Sequence, residues 1–236
     1  MEASSVPKTT SPSGAWPRKR LPYAERRRQI LDKAAEFFAE HGLAGQTRSL
    51  AQACAISQRL LYRFFPSKAA LIDEVYEDAI LGPFKTVWLV RLADRREPVE
   101  QRLNAFYRDY FETVLTRRWL RLFLYSSLAN RSMAPGYNVA VVMPLLERIV
   151  EEVAHEQGLR LPGDKPLRHE LGWTLHGAIS HLAIRKHLYH ASQGVAAQAV
   201  IALHVRSFLG GFAAMLAAVE AMRKDLQPAQ KELVVV

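Results

Sequence analysis

The chain has 236 residues, 49% of them hydrophobic, which is enough for one small domain and a larger one with a sizeable buried core. The formal net charge of +9 favours a polyanionic partner, with nucleic acid ahead of an anionic membrane surface. The single cysteine excludes an intrachain disulfide, the N-terminus has no apolar signal core, and the longest uninterrupted apolar run has only 12 residues (208–219). A membrane span needs about 20 residues, so we expect a soluble cytoplasmic protein with no membrane partner.

The positive charge is concentrated near the N-terminus. Residues 18–68 carry a net charge of +7, whereas residues 69–236 carry only +2. Residues 1–22 are rich in Ser, Pro, Thr and Lys and include the run Arg18-Lys19-Arg20, so we expect a disordered basic arm there. The run in this arm and the run Arg26–Arg28 have two interpretations. They form a solvated basic face, or the arm binds DNA backbone or minor groove.

From Tyr23 onward the apolar residues recur with a helical period, and no sustained alternation typical of strands occurs. The sequence therefore predicts an all-α protein. The predicted helices cover residues 23–41, 48–53, 57–65, 68–81, 84–92, 98–116, 118–130, 137–157, 166–190 and 195–224. Loops are predicted at residues 130–136 and 158–166, and we expect Pro144 to kink its helix or to mark that helix's true first turn.

The segment from Thr47 to Lys68 has the pattern of two short helices joined by a tight turn. The residues predicted to face the core are Leu50, Ala51, Cys54, Ile56, Leu61 and Phe65. The residues predicted to be exposed on the second helix are Gln58, Arg59, Tyr62 and Arg63. Because Gln pairs with adenine and Arg with guanine, such a face suits the major groove of DNA.

This segment and the helix before it resemble the TetR/AcrR family of one-component bacterial regulators. The resemblance covers roughly residues 23–80, and the matching positions are 28–42, Leu50-Ala51, Ile56-Ser57, Leu61-Tyr62-Arg63, Phe65-Pro66-Ser67-Lys68 and Leu71. It implies a three-helix helix-turn-helix DNA-binding domain of residues 23–83 and a larger C-terminal helical effector-binding and dimerisation domain of residues 84–226. Residues 227–236 would form a tail.

The resemblance also implies roles for individual residues. Thr47 and Arg48 would contact phosphate and a base edge, and Tyr62 and Lys68 would bind phosphates. The residues that would face the major groove are Gln58, Arg59 and Leu60. Arg59 and Arg63 have the alternative interpretation of solvated surface charges, and Tyr62 that of a packing residue.

Three positions depart from the pattern of the family. Ala55 replaces the usual turn glycine, so the turn must form without an easy left-handed residue. Arg59-Leu60 replaces a common pair of small residues, which changes the bases that are recognised. Phe64 replaces a frequent histidine and removes one phosphate contact.

For the C-terminal region the resemblance implies a homodimer built on the last two long helices and an unidentified small-molecule effector. The candidate pocket residues are Phe106, Tyr110, Trp119, Phe123, Trp173 and His176, with ordinary core packing as the alternative for each. The function implied is that of a ligand-responsive repressor on a palindromic DNA operator. The alternative is a helical adaptor or a metal-dependent enzyme that has lost DNA binding.

No catalytic motif, cofactor or metal ligand set is predicted. The sequence has no Gly-rich phosphate loop, nucleophile elbow or dinucleotide fingerprint. His187 and His190, at i and i+3, are expected to share a helix face, where a metal is the less favoured interpretation. Cys54 is interpreted as a small buried hydrophobe rather than a redox sensor. The acidic cluster Asp73, Glu74, Glu77 and Asp78 is interpreted as solvated charge.

Overall fold

The structure, a computed structural model, describes residues 21–129, 133–191 and 194–233, and all regular secondary structure in these ranges is helical. The α-helices are α1 (Tyr23–His41), α2 (Thr47–Ala53), α3 (Gln58–Phe64), α4 (Lys68–Tyr76), α5 (Val87–Leu92), α6 (Val99–Thr113), α7 (Arg117–Leu128), α8 (Met133–Tyr137), α9 (Met143–Glu156), α10 (Lys165–His187) and α11 (Ala197–Leu233). Two π-helical segments, Glu77–Leu81 and Asn138–Val142, follow α4 and precede α9. The prediction of an all-α fold is confirmed. The predicted basic run at residues 18–20 lies outside the described residues.

Helices α1–α4 form a small unit, named the head here. Its helix ends follow from local chemistry. Gly42 ends α1 with a φ of +75°, a conformation that glycine adopts without steric cost. The Ser57 and Ser67 hydroxyls cap α3 and α4 by accepting from the Leu60 and Ala70 N–H groups. The predicted core residues Leu50, Ala51, Leu61 and Phe65 are all buried.

Helices α5–α11, named the body here, pack around α10, which contacts α6, α7, α9 and α11. The α9–α10 contact is close because of Gly172. A Cβ at that position would lie 2.8 Å from the Cβ of Leu146. The apolar side chains of α11 that pack on the body recur at helical spacing and are Ile201, Val205, Phe208, Phe212, Leu216 and Val219.

A buried ion-pair network joins α6 to α9. Arg102 and Glu152 are 5% and 1% exposed, and their Nη1 and Oε2 atoms lie 3.0 Å apart. The Glu152 carboxylate also accepts two hydrogen bonds from Arg95, at 3.0 and 3.2 Å. Burial acts to raise the pKa of Glu152, but the hydrogen bonds from the two arginines outweigh it, so the pKa is lowered.

The segment around residue 135 differs from the prediction. Residues 133–136, expected to be a loop, lie in α8. Pro135 falls in the first turn of that helix, where backbone N–H groups lack intrahelical partners and the missing donor costs nothing. Pro144 lies in the first turn of α9, as one of its two predicted roles required.

Helix α11 is longer than expected. It continues to Leu233, past the predicted end at residue 224 and into the predicted tail. By length and composition alone, its segment Ala197–Met222 is apolar enough to span a membrane, with a mean hydropathy of 1.6. The longest uninterrupted apolar run has only 12 residues because Ser207 and Glu220 border it, whereas the mean hydropathy stays high over a longer window that contains a few polar residues. Only 28% of its most apolar window is buried, so one face of α11 has no covering partner within the described part of the chain.

Candidate nucleic-acid interface

The turn between α2 and α3 is tight, although it contains no glycine. Ala55 has a φ of +53°, so it takes the left-handed conformation that costs a non-glycine residue about 1–2 kcal/mol. The Ile56 N–H donates to the Ala51 carbonyl at 3.0 Å and closes the turn. Ile56 is half-buried against the head core, and Cys54 is also half-buried. Burial raises the pKa of the Cys54 thiol to about 11, which disfavours the reactive thiolate.

The outer face of α3 is joined to the start of α2 through one hydroxyl. The Thr47 Oγ1 accepts from Gln58 Nε2 at 3.1 Å and from the Tyr62 hydroxyl at 3.4 Å. Tyr62 is 40% exposed, and hydrogen bonding with Thr47, followed by Gln58, lowers its pKa. The positive charge of Lys68 lowers the pKa of Tyr62 further. Three polar side chains are therefore held on one surface before any ligand binds.

The structure places the remaining predicted contacts around this surface. Arg48, Arg59 and Arg63 are exposed, and Lys68 is half-buried at the start of α4. Leu60 is half-buried, so it offers an apolar edge rather than a free side chain. All eight predicted DNA-contact residues thus lie on α2, α3 or the first residue of α4.

One side of α3 carries an aromatic stack that the sequence analysis did not anticipate. Phe64 and Tyr23 stack with ring centroids 4.7 Å apart and planes inclined by 25°. A cavity of about 330 Å³ lies beside them, lined also by Leu60, Arg63 and Arg26. The start of α1 is therefore fixed next to the exposed face of α3. The feature of the sequence that could have predicted this stack is Phe64, an aromatic residue in place of the frequent histidine.

Arg27 and Arg28 lie on the surface of the head, with side chains 36% and 59% exposed, and both pair with acidic side chains. Arg27 pairs with Glu74 and lies over the Phe65 ring, 5.0 Å from its centroid. Arg28 Nη1 lies 2.5 Å from the Asp78 carboxylate. These two acids, 34% and 29% exposed, attach α4 and the π-helical turn to α1.

The predicted effector residues meet in an aromatic cluster in the body. Tyr110, Trp119 and His176 are buried, as is Phe106, while Phe123 and Trp173 are half-buried. Tyr110 is central, with its ring 5.3 Å from Phe106 and 5.5 Å from His176. The Trp119 indole donates to the Ile80 carbonyl of the first π-helical segment at 3.2 Å, so the cluster touches the helix that leaves the head.

Tyr137 is a member of this cluster that the sequence analysis missed. Its hydroxyl lies 3.3 Å from that of Tyr110, and its ring centroid lies 5.4 Å from that of Trp119. Two buried polar atoms in this part of the body have no hydrogen-bond partner among the described residues. They are Tyr107 Oη and His176 Nδ1. Burial raises the pKa of Tyr107 and lowers that of His176 to about 4, so both groups are uncharged at neutral pH.

The expectation that His187 and His190 share a helix face is wrong. α10 ends at His187, and His190 follows it with a φ of +51°. Among the described residues, no group of three or more His, Cys, Asp or Glu side chains is arranged to hold a metal ion.

Known proteins resemble this chain in the sequence of the head. Residues 30–75 match the model of the family described as bacterial regulatory proteins, tetR family. The HTH-type transcriptional repressor KstR2 of Rhodococcus jostii (strain RHA1) is 35% identical over 86 residues, which cover 35% of this chain and 42% of that protein. The chain therefore matches less than half the length of this curated relative.

Two solved structures resemble the fold over most of its length. A TetR-like transcriptional regulator from Rhodococcus sp. RHA1 is 20% identical with a TM-score of 0.61, covering 81% of this chain and 100% of that one. Thermus thermophilus FadR, described as a TetR family transcriptional repressor in complex with lauroyl-CoA, is 20% identical with a TM-score of 0.50, covering 78% and 94%. The arrangement of head and body is thus shared with these proteins.

Proposed function

We propose that this chain, whose N-terminal domain belongs to the tetR family of bacterial regulatory proteins, binds double-stranded operator DNA and regulates transcription in the cytoplasm. The observation that carries the proposal is the outer face of α3. Gln58, Arg59 and Tyr62 lie there exposed on a helix whose other face packs in the head core. An exposed helix of this composition fits the major groove.

The contacts divide into two kinds. Gln58 and Arg59, at the start of α3, would donate to base edges and set sequence preference. Thr47, Arg48, Tyr62 and Lys68 would hold phosphates and fix the orientation of the head without reading sequence. The Thr47 hydroxyl, which already accepts from Gln58 and Tyr62, retains its own proton for a phosphate oxygen.

The functional unit would be a homodimer on a palindrome. The uncovered face of α11 includes Leu203 and Met222, which are 61% and 55% exposed, and Gly210, where a Cβ would meet no atom within 4 Å. Together with α10 from each subunit this face would form a four-helix interface. The two α3 helices would then lie about 34–36 Å apart, one turn of DNA, or somewhat farther.

A small-molecule effector bound in the aromatic cluster of the body would control DNA binding. The unpartnered Tyr107 hydroxyl and His176 Nδ1 would receive its polar group, since a buried polar atom without a partner is unfavourable. Repression rather than activation is proposed because KstR2 and FadR are described as repressors. The protein would then be a regulator and not an enzyme.

Selection of bound sequences from random duplex DNA, followed by fluorescence anisotropy on the selected and a scrambled duplex, tests the proposal. We expect a palindrome to be enriched. Arg59→Ala should narrow the affinity gap between the two duplexes by about 1–3 kcal/mol, whereas Tyr62→Ala should weaken binding to both. Arg96→Ala, a charge change on an exposed body residue, is the matched control. Failure to enrich any duplex would favour the alternative of a helical adaptor.

A further inference from the structure

The junction between head and body contains two arginines that the proposed DNA contacts leave unused. Arg117, at the start of α7, donates to both carboxylate oxygens of Glu40 at the end of α1. Arg121, one turn later, donates to the main-chain carbonyls of Ala39 and Glu40. Because the last carbonyls of a helix lack intrahelical partners, these bonds tie α7 to the C-terminal end of α1.

Tyr125 completes this tie. Its hydroxyl accepts from Arg121 Nη2 at 3.0 Å, and the guanidinium carbon lies 5.4 Å from the ring centroid. The same ring faces Gly42, where a Cβ would lie 3.6 Å from it. The three α7 side chains Arg117, Arg121 and Tyr125, at i, i+4 and i+8, therefore hold the C-terminal end of α1 against α7.

These three side chains also line an open groove of about 230 Å³. Its apolar wall consists of Leu124 and Leu128 on α7 and Leu188 after α10. Leu128 is 82% exposed, so a ligand in the groove would remove apolar surface from water. His187 and His190 also line the groove.

The groove is complementary to a negative charge. Its lining includes the guanidinium groups of Arg117 and Arg121 and no acidic side chain. The acid nearest to the guanidinium groups is Glu40, which stands outside the lining and pairs with Arg117 across side chains that are 47% and 45% exposed. His190 holds the strained left-handed conformation, a feature that concentrates at binding sites.

We propose that this groove binds a small organic anion with an apolar body. Its carboxylate would accept from Arg117 and Arg121, and its hydrocarbon would cover Leu124 and Leu128. A guanidinium group donates in fixed directions, so the ligand carboxylate and Glu40 compete for the same N–H groups. Binding therefore loosens the tie between α1 and α7. The site lies on the surface at the junction and is separate from the aromatic cluster of the body.

Calorimetric titration of the DNA-free protein with octanoate tests the site, with octan-1-ol as the probe that has the same tail and no charge. We expect octanoate to bind at least about tenfold more tightly than octan-1-ol. Arg117→Gln should weaken octanoate binding about tenfold. Glu40→Gln should strengthen it several-fold because it removes the competing carboxylate.

The matched control is Arg118→Gln, the same charge change on the next residue of α7, which is exposed and does not line the groove. It should leave octanoate affinity within about twofold of wild type. Equal affinities for octanoate and octan-1-ol, or equal losses in Arg117→Gln and Arg118→Gln, would show that no specific anion site exists. Absence of octanoate binding up to its solubility limit would overturn the proposal as well.

The regulatory consequence rests on the proposed DNA-binding function and is measured separately. Octanoate should weaken anisotropy-detected binding of the wild type to its selected duplex, because a ligand that binds the DNA-free protein more tightly must lower DNA affinity by the same factor. Arg117→Gln should need about tenfold more octanoate for the same loss of DNA affinity. Octanoate binding without any change in DNA affinity would retain the site and overturn its coupling to the head. If no duplex is bound at all, the DNA-binding proposal fails while the calorimetric result still decides the groove.

Discussion

At the scale of single residues, Ala55 shows how the fold accommodates an alanine in place of the glycine that is usual in this turn. The turn after α2 has no glycine to take the left-handed conformation, and Ala55 takes that conformation instead. The turn is held by Leu50, Ala51 and the half-buried Ile56, which anchor its two sides in the head core. Packing on both sides thus imposes the strained conformation.

Ala55→Gly should therefore stabilise the protein. Glycine removes the steric cost of a positive φ, partly offset by its greater freedom in the unfolded chain, and we expect a gain of about 1 kcal/mol. Chemical denaturation at neutral pH measures it. Ala105→Gly, at an exposed position in the middle of α6, is the contrasting change and should be destabilising by about 1 kcal/mol. Equal effects of the two substitutions would contradict the role assigned to the turn.

His176 gives a pH dependence of known sign. Its pKa is lowered to about 4 by burial, whereas an unfolded histidine titrates near 6.5. As the pH falls below 6.5, the unfolded state takes up a proton that the folded state cannot, so the free energy of unfolding decreases until about pH 4.

The loss from His176 should amount to about 3 kcal/mol across that window. Denaturation curves at pH 7 and pH 4.5 for the wild type and His176→Gln measure it, because other titrating groups cancel in the comparison. We expect the variant to lose less stability on acidification. Parallel losses would mean that His176 is protonated in the folded protein.

At the scale of helices, the ends with local signals were predicted to within one or two residues. Gly42, Ser57 and Ser67 act through hydrogen bonds to neighbouring residues, so their chemistry is visible in a short stretch of sequence. The helical turn around Pro135 and the π-helical segment after it have no such signal. The buried ring of Tyr137 packs on Trp119 and Phe123 in this region, contacts that no local pattern contains.

The ion-pair network between α6 and α9 was invisible for the same reason. Arg95 and Glu152 are 57 residues apart in sequence, and no local pattern around either residue predicts that they pair. The wrong prediction for His187 and His190 also concerns the end of a helix. Their spacing predicted a shared helix face, but the helix ends at the first of them.

Glu152→Ala should be destabilising, because it removes the buried carboxylate shared by Arg102 and Arg95 and leaves Arg102 with the more distant Glu156 carboxylate at 3.5 Å. We expect a loss of about 3 kcal/mol in the free energy of unfolding, the lower end of the cost of breaking a buried pair. Glu151→Ala is the matched control, since that neighbour makes only a solvent-exposed pair with Arg148 at 3.6 Å and should cost at most about 1 kcal/mol. Similar costs for the two substitutions would contradict the structural role of the network.

At the scale of the whole molecule, the distribution of charge agrees with the part of the chain that we propose to bind DNA. Residues 18–68 hold most of the net positive charge, and the exposed Arg48, Arg59 and Arg63 of the head belong to that range. The residues of α2 and α3 that the family resemblance pointed to lie together on one surface. The body was predicted less completely, because helical periodicity predicts which residues form helices but not which helices pack against each other.

The proposed dimer makes a prediction at Gly210. A leucine there has free space within its own chain, but it would obstruct a partner helix that approaches the uncovered face of α11. Gly210→Leu should leave the helical content unchanged and raise the dimer dissociation constant at least about tenfold. Sedimentation velocity over a concentration series measures this. Ala105→Leu, on the exposed surface of α6, is the control, and unchanged dimerisation in Gly210→Leu would place the interface elsewhere.

The π-helical turn at Glu77–Leu81 has a mechanical consequence. The regular part of α4 packs on α1, while the π-helical part contacts α7 and gives its Ile80 carbonyl to Trp119. A π turn holds one residue more than an α turn. Deleting that surplus residue would return the segment to regular α geometry and displace the Ile80 carbonyl from the Trp119 indole. The contact between the head and the aromatic cluster of the body would then be lost while α4 stays packed on α1, so a single residue of surplus length fits the two units together.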